Sequence, residues 1–122
     1  MNQSDTVEFM AVTWALLQRV LLLVPEPIQL DAPTRDYADT LDGVHAQIAN
    51  RRDDFPAFYY PGRMILVAVT DMATVMETGA LIAAFDEVGW EVDPETKEEA
   101  ATHAKRALRL LAEAEDFLAI HG

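Results

Sequence analysis

Apolar residues recur along most of this chain at spacings of three and four, which is the repeat of one face of an α-helix. The clearest segment lies near the C-terminus, where Asp93-Pro94 provides a capping residue and a preformed first turn. Its apolar positions alternate at intervals of four and three: Ala100, Ala104, Ala107, Leu111, Ala114 and Leu118. Because most of these residues are small, we expect a neighbouring helix to approach this one closely.

The first helix is predicted from about residue 5 to residue 24, with Asp5 and Glu8 forming a capping box. Its apolar positions nearly encircle the helix, which predicts a central position or a place in an oligomer interface. The segment PEPIQLDAPT follows, and its three prolines predict an extended, stiff linker. Two apolar residues are expected to hold this linker against the core: Ile28 and Leu30.

The second helix is predicted from about Thr34 to about Arg52. Its apolar face consists of Tyr37, Leu41, Val44 and Ile48. A different face carries Asp36, Asp39 and Asp42. The segment DDFPAFYYPGR comes next, and its two prolines and one glycine predict an irregular loop. This loop contains four aromatic residues: Phe55, Phe58, Tyr59 and Tyr60.

The third segment, residues 61–88, admits two interpretations. The run of β-forming residues at 65–69, followed by a helical stretch and then GWEV, is compatible with a β-α-β unit. One continuous helix is favoured, because a parallel sheet needs more strands than the chain supplies. Polar residues also recur at helical spacing here: Thr70, Asp71, Thr74, Glu77 and Thr78. We assign Asp71 to this polar stripe and not to the core.

Four helical segments with short connections predict a single all-α domain over residues 1–122, a mostly antiparallel four-helix bundle. Its first connection would be Pro-rich, and an aromatic loop would join helices 2 and 3. The first and third helices carry more apolar surface than a small bundle buries easily, which predicts a homodimer.

Charge narrows the choice of partners. Although 51% of the residues are hydrophobic, 21 Asp and Glu face only 9 Lys and Arg, so the net charge is −12. Such a surface repels nucleic acid, and Arg51 and Arg52 are followed at once by Asp53 and Asp54. The acidity has a second explanation that carries no function, namely a GC-rich genome or a saline cytoplasm.

Several classes of site are excluded or unsupported. The chain has no cysteine, which rules out disulfides, thiolate zinc sites and cysteine nucleophiles. The first nine residues lack the basic region of a signal peptide, and the apolar run 9–24 is too short and too polar to span a membrane. We therefore expect a cytoplasmic protein that does not enter membranes. No Ser-His-Asp set or glycine-rich phosphate loop has convincing spacing, and no cofactor is expected.

A metal site is the alternative chemical hypothesis. Asp42-x-x-His45 on helix 2 and Glu99-x-x-x-His103 on helix 4 each place a carboxylate and an imidazole on one helix face. Ferritin-like di-metal bundles use Glu-x-x-His motifs in this way, but one motif here has Asp and the other is one residue longer. The alternative explanation is that these are surface residues of an acidic protein.

The leading hypothesis is a non-enzymatic interaction module, such as an inhibitor, antitoxin-like factor or adaptor, that binds a basic protein partner. Three aromatic residues would provide buried contact area: Tyr59, Tyr60 and Trp90. Four carboxylates would steer association: Asp53, Asp54, Glu91 and Asp93. The Tyr-Tyr-Pro of residues 59–61, after helix 2 of a small acidic helical protein, is similar to the inhibitory loop of colicin nuclease immunity proteins. That similarity covers three or four residues and implies an analogous mechanism. A homo-oligomeric scaffold is the third hypothesis.

Overall fold

A computed structural model describes residues 1–32 and 37–121 of the chain. It contains four helices: α1 (Gln3–Leu21), α2 (Tyr37–Asp54), α3 (Tyr59–Glu87) and α4 (Pro94–His121). These described ranges hold no β-strand, so the predicted all-α four-helix bundle is confirmed, as is one long helix in place of the β-α-β alternative. The predicted start of the second helix at Thr34, and Asp36 on its acidic face, lie outside the described residues.

Helix α3 is the centre of the bundle and packs against the other three helices. The start of α3 meets the end of α4 through Tyr60 and Phe117, so these two helices are antiparallel. Arg19 near the end of α1 pairs with Glu115 near the end of α4, which makes α1 and α4 parallel. Arg51 in the last turn of α2 binds the carbonyl of Pro25, just after the end of α1, so α1 and α2 are parallel as well. Helices α1, α2 and α4 therefore run in one direction and α3 runs in the other.

The first connection returns along the bundle, because α1 and α2 are parallel. Several polar side chains bind its carbonyl groups: Trp14 Nε1 donates to Asp31 at 2.9 Å, Gln18 Nε2 to Leu30 at 3.0 Å, and Arg51 Nε to Pro25 at 2.8 Å. Ile28 and Leu30 are buried, as predicted. These bonds satisfy backbone oxygens that an extended segment cannot pair internally.

The seam of α4 behaves as its spacing predicted. All six of its apolar residues are buried, and α4 makes its most extensive packing against α3. The small alanine side chains allow this close approach.

Helix α1 begins one turn earlier than predicted. Asn2 is the capping residue, and its side chain accepts from the Asp5 backbone N–H at 2.8 Å while Asp5 Oδ2 accepts from the Asn2 N–H at 3.1 Å. The box thus consists of Asn2 and Asp5 and not of Asp5 and Glu8. The extra turn places Thr6 in a buried position inside the helix.

The aromatic segment between α2 and α3 is not the irregular loop that its prolines suggested. A 3₁₀ turn over Pro56–Phe58 continues directly into α3 at Tyr59. Pro56 opens the 3₁₀ turn and Pro61 lies in the first turn of α3. At such positions the N–H that proline lacks would have no helical acceptor, so both prolines fit.

Helix α3 with its preceding turn, Pro56–Glu87, is long and apolar enough to cross a membrane by length and composition, with a mean hydropathy of 1.6 in its most apolar window. The core helix of a soluble protein meets the same criterion. The prediction of no membrane segment concerned residues 9–24, whereas the helix that meets the criterion is α3. We describe α3 as a core helix because it contacts every other helix.

Candidate functional site

The predicted partner-binding residues lie at two opposite ends of the molecule. Asp53, Asp54, Tyr59 and Tyr60 surround the junction of α2 and α3, which we call the tyrosine end. Trp90, Glu91 and Asp93 lie in the connection from α3 to α4, within the acidic segment 86–99 that we call the tryptophan end. The 29 residues of α3 separate the two ends by about 40 Å, given a rise of about 1.5 Å per residue. The predicted partner-binding residues therefore form two separate surfaces.

At the tyrosine end, two neighbouring aromatic rings are held on a helix. Tyr59 is 59% exposed and Tyr60 is 57% exposed. The Arg52 guanidinium lies 4.1 Å from the centroid of the Tyr59 ring, and Arg52 Nε donates to the Tyr59 carbonyl at 3.1 Å. Tyr60 meets Phe117 in an edge contact with centroids 6.0 Å apart. Each ring is therefore supported on one side by its own chain.

The same end contains an apolar cavity of about 430 Å³ beside the end of α4. Leu23, Phe58 and Phe117 contribute to its wall, and among residues 1–32 and 37–121 His121 is the one ionisable residue that lines it. No set of convergent polar groups lines it among the described residues, so the cavity has no specific polar recognition element. The charges nearby are mixed, because Arg51 and Arg52 precede Asp53 and Asp54.

At the tryptophan end, a helix-terminating motif fixes the position of Trp90. Gly89 adopts the left-handed conformation with φ +74°. The Gly89 N–H donates to the backbone carbonyl of Asp86 at 3.2 Å, and the Trp90 N–H donates to the backbone carbonyl of Phe85 at 2.9 Å. These two bonds form a Schellman motif. Such a motif commonly includes an apolar contact between the side chains of the residue after the glycine and the residue whose carbonyl it binds. Here that contact joins Phe85 and Trp90, whose rings meet at 88° with centroids 5.9 Å apart.

The Trp90 side chain is larger than this motif requires. A smaller apolar side chain would complete the contact with Phe85, whereas Trp90 remains 66% exposed. Val88, the residue that follows α3, is also exposed, while Val92 is buried and holds the connection against the bundle. The indole is therefore exposed to solvent, while its backbone is held by the Schellman bonds before it and by buried Val92 after it.

Seven carboxylates and one lysine accompany Trp90 in this segment: Asp86, Glu87, Glu91, Asp93, Glu95, Glu98, Glu99 and Lys97. Asp93 has a structural role as well, because its Oδ1 accepts from the Glu95 backbone N–H at 2.9 Å at the start of α4. Asp86 and Glu87, unlike Asp93, do not stabilise the helix that they belong to. They lie in the last turn of α3, where the helix dipole disfavours negative charge. No basic residue in that turn offsets them, whereas Arg51 and Arg52 do so in the last turn of α2.

A third group of polar residues lies between α3 and α4. Asp71 is 1% exposed, and its two oxygens accept from Arg106, Nη2 to Oδ1 at 2.6 Å and Nε to Oδ2 at 2.8 Å. His103 Nδ1 lies 2.7 Å from Oδ1. The prediction that Asp71 belongs to the exposed polar stripe was wrong, because the α4 register brings two donors to its carboxylate.

The Asp71 carboxylate is ionised and its hydrogen bonding is satisfied. Burial acts to raise the pKa of Asp71, but the hydrogen bonds from Arg106 and His103 and the charge of Arg106 outweigh it and hold the pKa below its usual value. An ionised carboxylate has no proton to donate, so His103 Nδ1 carries the shared hydrogen. This leaves Nε2 of the half-exposed His103 as the free ring nitrogen.

The two motifs of the metal hypothesis are not brought together. Asp42 and His45 are exposed on α2, and α2 does not pack against α4, which carries Glu99 and His103. Over residues 1–32 and 37–121, no three His, Asp or Glu side chains are grouped as metal ligands. His103 instead binds Asp71. The nearest chemistry to a metal site is a single oriented imidazole, which lacks the further ligands that a metal needs.

The sequence contained signals for the Asp71 group that were not combined. Asp71 is the one carboxylate between Arg63 and Met76 in the apolar half of α3, and His103 and Arg106 lie three residues apart on one face of α4. Their pairing depends on the register between α3 and α4, which the spacing of residues within either helix does not determine.

The chain matches no protein-family model, no curated protein and no solved structure.

Proposed function

We propose that this chain is a non-enzymatic protein-interaction module that binds a basic protein partner through its tryptophan end, as an inhibitor, antitoxin-like factor or adaptor does. The observation that carries the proposal is Trp90, an exposed aromatic side chain on a fixed backbone within a dense group of carboxylates. Aromatic anchors surrounded by polar residues are typical of the residues that dominate binding energy at protein interfaces.

The charge of the tryptophan end supports a basic partner. Residues 86–99 carry seven acids and one lysine, whereas the tyrosine end combines Asp53 and Asp54 with Arg51 and Arg52. A basic surface would therefore be attracted to the tryptophan end more strongly. Asp86 and Glu87 strengthen the argument, because a sequence selected for helix stability alone would place Lys or Arg in the last turn of α3.

The tyrosine end is the second contact surface of the proposal. Tyr59 and Tyr60 offer large apolar area with polar tips, and their helix holds them without a flexible loop. A partner large enough to reach both ends would span about 40 Å along α3. A small partner would use one end only.

A capture experiment with matched variants tests the proposal. The immobilised chain is exposed to lysate from the cells that express it, at about 0.05 M and about 0.5 M salt, and retained proteins are quantified by mass spectrometry. We expect a basic protein that is retained at low salt and released at high salt. Trp90→Ala and the pair Asp86→Asn/Glu87→Gln should each reduce its retention.

The control is the pair Asp53→Asn/Asp54→Asn, which removes the same charge from the last turn of α2. Retention should be unaffected if the partner binds the tryptophan end. Binding that ignores salt, Trp90→Ala and both charge pairs contradicts the proposal. A loss confined to Asp53→Asn/Asp54→Asn and Tyr59→Ala/Tyr60→Ala would instead place the partner at the tyrosine end.

A homodimer is a second candidate, favoured by exposed apolar residues of α1. Val7 and Val12 are both more than half exposed. Val7 lies beside a cavity of about 270 Å³ that includes Met10 and Met76, and Val12 lines a groove between α1 and α4. A second copy would cover these residues, although two chains of net charge −12 repel each other.

A further inference from the structure

We infer that the open face of the Trp90 indole binds an arginine side chain of the partner, with Glu91 and the carboxylates of the α3 terminus pairing with the same guanidinium. The inference rests on the proposed function and adds to it the chemical identity of the group that Trp90 receives. It follows from the orientation of the ring, the charge around it and a stacking arrangement that the chain already makes elsewhere.

The Trp90 ring has a free aromatic face. Phe85 and Trp90 meet at 88°, so either the Trp90 edge points at Phe85 and both indole faces are open, or the Phe85 edge covers one face and the other is open. The exposure of Trp90 agrees with both arrangements. The Schellman bonds of Gly89 and Trp90 fix the backbone beneath the ring, so little backbone entropy is lost when a ligand binds.

The open face favours a cation. The face of an aromatic ring carries negative charge, and tryptophan is the strongest of the aromatic side chains at binding cations. Asp86, Glu87 and Glu91 increase the negative potential around this ring. An anionic group would be repelled. An aliphatic group would cover the ring, but it would also remove water from the carboxylates without pairing with them, which is unfavourable.

The tyrosine end provides an internal comparison. The Arg52 guanidinium stacks over the Tyr59 ring at 4.1 Å, so that ring already has its cation. Across residues 1–32 and 37–121 this is the single stacked pair of cation and ring, and no cation of those residues stacks on Trp90. The chain thus fills one aromatic face with its own arginine and leaves the stronger one open.

Arginine fits the site better than lysine. A guanidinium is planar, is weakly hydrated and can stack on a ring while its N–H groups bind a carboxylate with two parallel hydrogen bonds. Glu91 follows Trp90 directly in the chain and is exposed, so its carboxylate is available for such a pair. A lysine ammonium would pair with the acids as a point charge and would gain less from the ring.

An NMR titration tests the inference with a defined probe. The probe is a short peptide containing three arginines separated by glycines, and its matched control replaces each arginine by citrulline, which has nearly the same shape without charge. The chain has two tryptophans, so the indole N–H resonance of buried Trp14 serves as an internal reference for that of Trp90. We expect the arginine peptide to shift the Trp90 resonance and the citrulline peptide to leave it unchanged.

Two variants separate stacking from simple charge attraction. Trp90→Leu retains apolar area but removes the aromatic face, and it should raise the Kd for the arginine peptide about threefold, the size expected for an exposed cation–π contact. Because this variant lacks the indole N–H of residue 90, the Kd of every variant is taken from the backbone amide resonances of residues 86–91. Tyr60→Leu, at the other end, should leave the Kd unchanged. An equal peptide with lysines should bind more weakly than the arginine peptide.

Trp90→Leu binding the arginine peptide as tightly as the unaltered chain would overturn the inference. The same holds if the lysine peptide binds as tightly as the arginine peptide. In either case the proposed function is judged separately, because Asp86→Asn/Glu87→Gln still reports whether the acidic tryptophan end captures the basic partner.

Discussion

Among single residues, Asp71 makes the largest electrostatic demand on the fold. It is the one ionisable side chain among the buried polar residues of the described chain, the others being Thr6 and Thr13. An unpaired charge at such a position would be strongly unfavourable, so the two donors on α4 are required and not incidental. Both donors are partly exposed, which lets water share their solvation and moderates the effect of losing the pair.

Asp71→Asn should lower the free energy of unfolding by about 2 kcal/mol, the usual size for hydrogen bonds to a charged group when one partner is changed. Asparagine has nearly the same shape but no charge to hold Arg106, and its amide cannot accept on both arms. Urea denaturation measures the loss. Arg109→Gln is the matched control, because its contact with Glu113 is 3.9 Å long and exposed, and its effect should stay below about 0.5 kcal/mol.

The contribution of Asp71 should also depend on pH. Its pKa is lower in the folded chain than in the unfolded chain, where it is about 3.9. The stabilisation is therefore complete above about pH 4 and disappears as the pH falls through the folded pKa. The difference in unfolding free energy between the unaltered chain and Asp71→Asn should shrink in that acidic range. A difference that grew as the pH fell would show that the carboxylate is not ionised in the fold.

Between elements, the contact of α1 with α3 depends on a glycine. Gly79 is buried in α3, and a Cβ at this position would collide with the Thr6 side chain of α1, approaching Thr6 Cβ to 3.2 Å and its methyl group more closely still. Gly43 is exposed in α2 and would place a Cβ in open space. Both glycines are inside helices, so the same substitution has opposite consequences at the two sites.

Gly43→Ala should raise the free energy of unfolding by about 1 kcal/mol, because alanine is the better helix former. Gly79→Ala should lower it by about 1 to 3 kcal/mol, because α1 must shift to relieve the collision. Chemical denaturation of the two variants gives both values. Adding Thr6→Ser to Gly79→Ala removes the methyl group in the way and should recover part of the loss; no recovery would mean that the collision is not the cause.

For the molecule as a whole, net charge links stability to association. At −12, the folded chain repels itself and any further copy, while it attracts a basic partner. Dissolved salt screens all three interactions over a distance of about 10 Å at 0.1 M. Salt therefore separates the proposed function from the homodimer alternative.

Raising salt from about 0.05 M to about 0.5 M should strengthen any association between copies and weaken binding of a basic partner. Sedimentation velocity follows the first equilibrium, and surface-based kinetics follow the second, in which the association rate should fall most steeply. A chain that stays monomeric at high concentration in both salts would remove the homodimer. A partner complex with a salt-independent association rate would remove the electrostatic steering.

The sequence by itself determined the properties that arise from neighbours in the chain. Three- and four-residue spacing placed four helices and the buried seam of α4, since helix formation and its buried face depend on nearby side chains. The apolar residues of the Pro-rich linker gave its anchors, Ile28 and Leu30. The sequence also located the exposed aromatic residues and the acidic segment around Trp90. Some of its errors were local as well, for example a cap placed one turn late and a loop where Pro56 begins a 3₁₀ turn and Pro61 lies in the first turn of α3.

Only the tertiary structure decided which residues distant in the sequence lie next to each other. The pairing of Asp71 with His103 and Arg106 joins residues 32 and 35 positions apart and depends on the register between two packed helices. The return of the first linker, which makes α1 and α2 parallel, depends on side-chain bonds from Trp14 and Arg51 to its carbonyl groups. The separation of the tyrosine and tryptophan ends follows from the unbroken length of α3. Such distances result from the packing of many side chains at once, so no local pattern contains them.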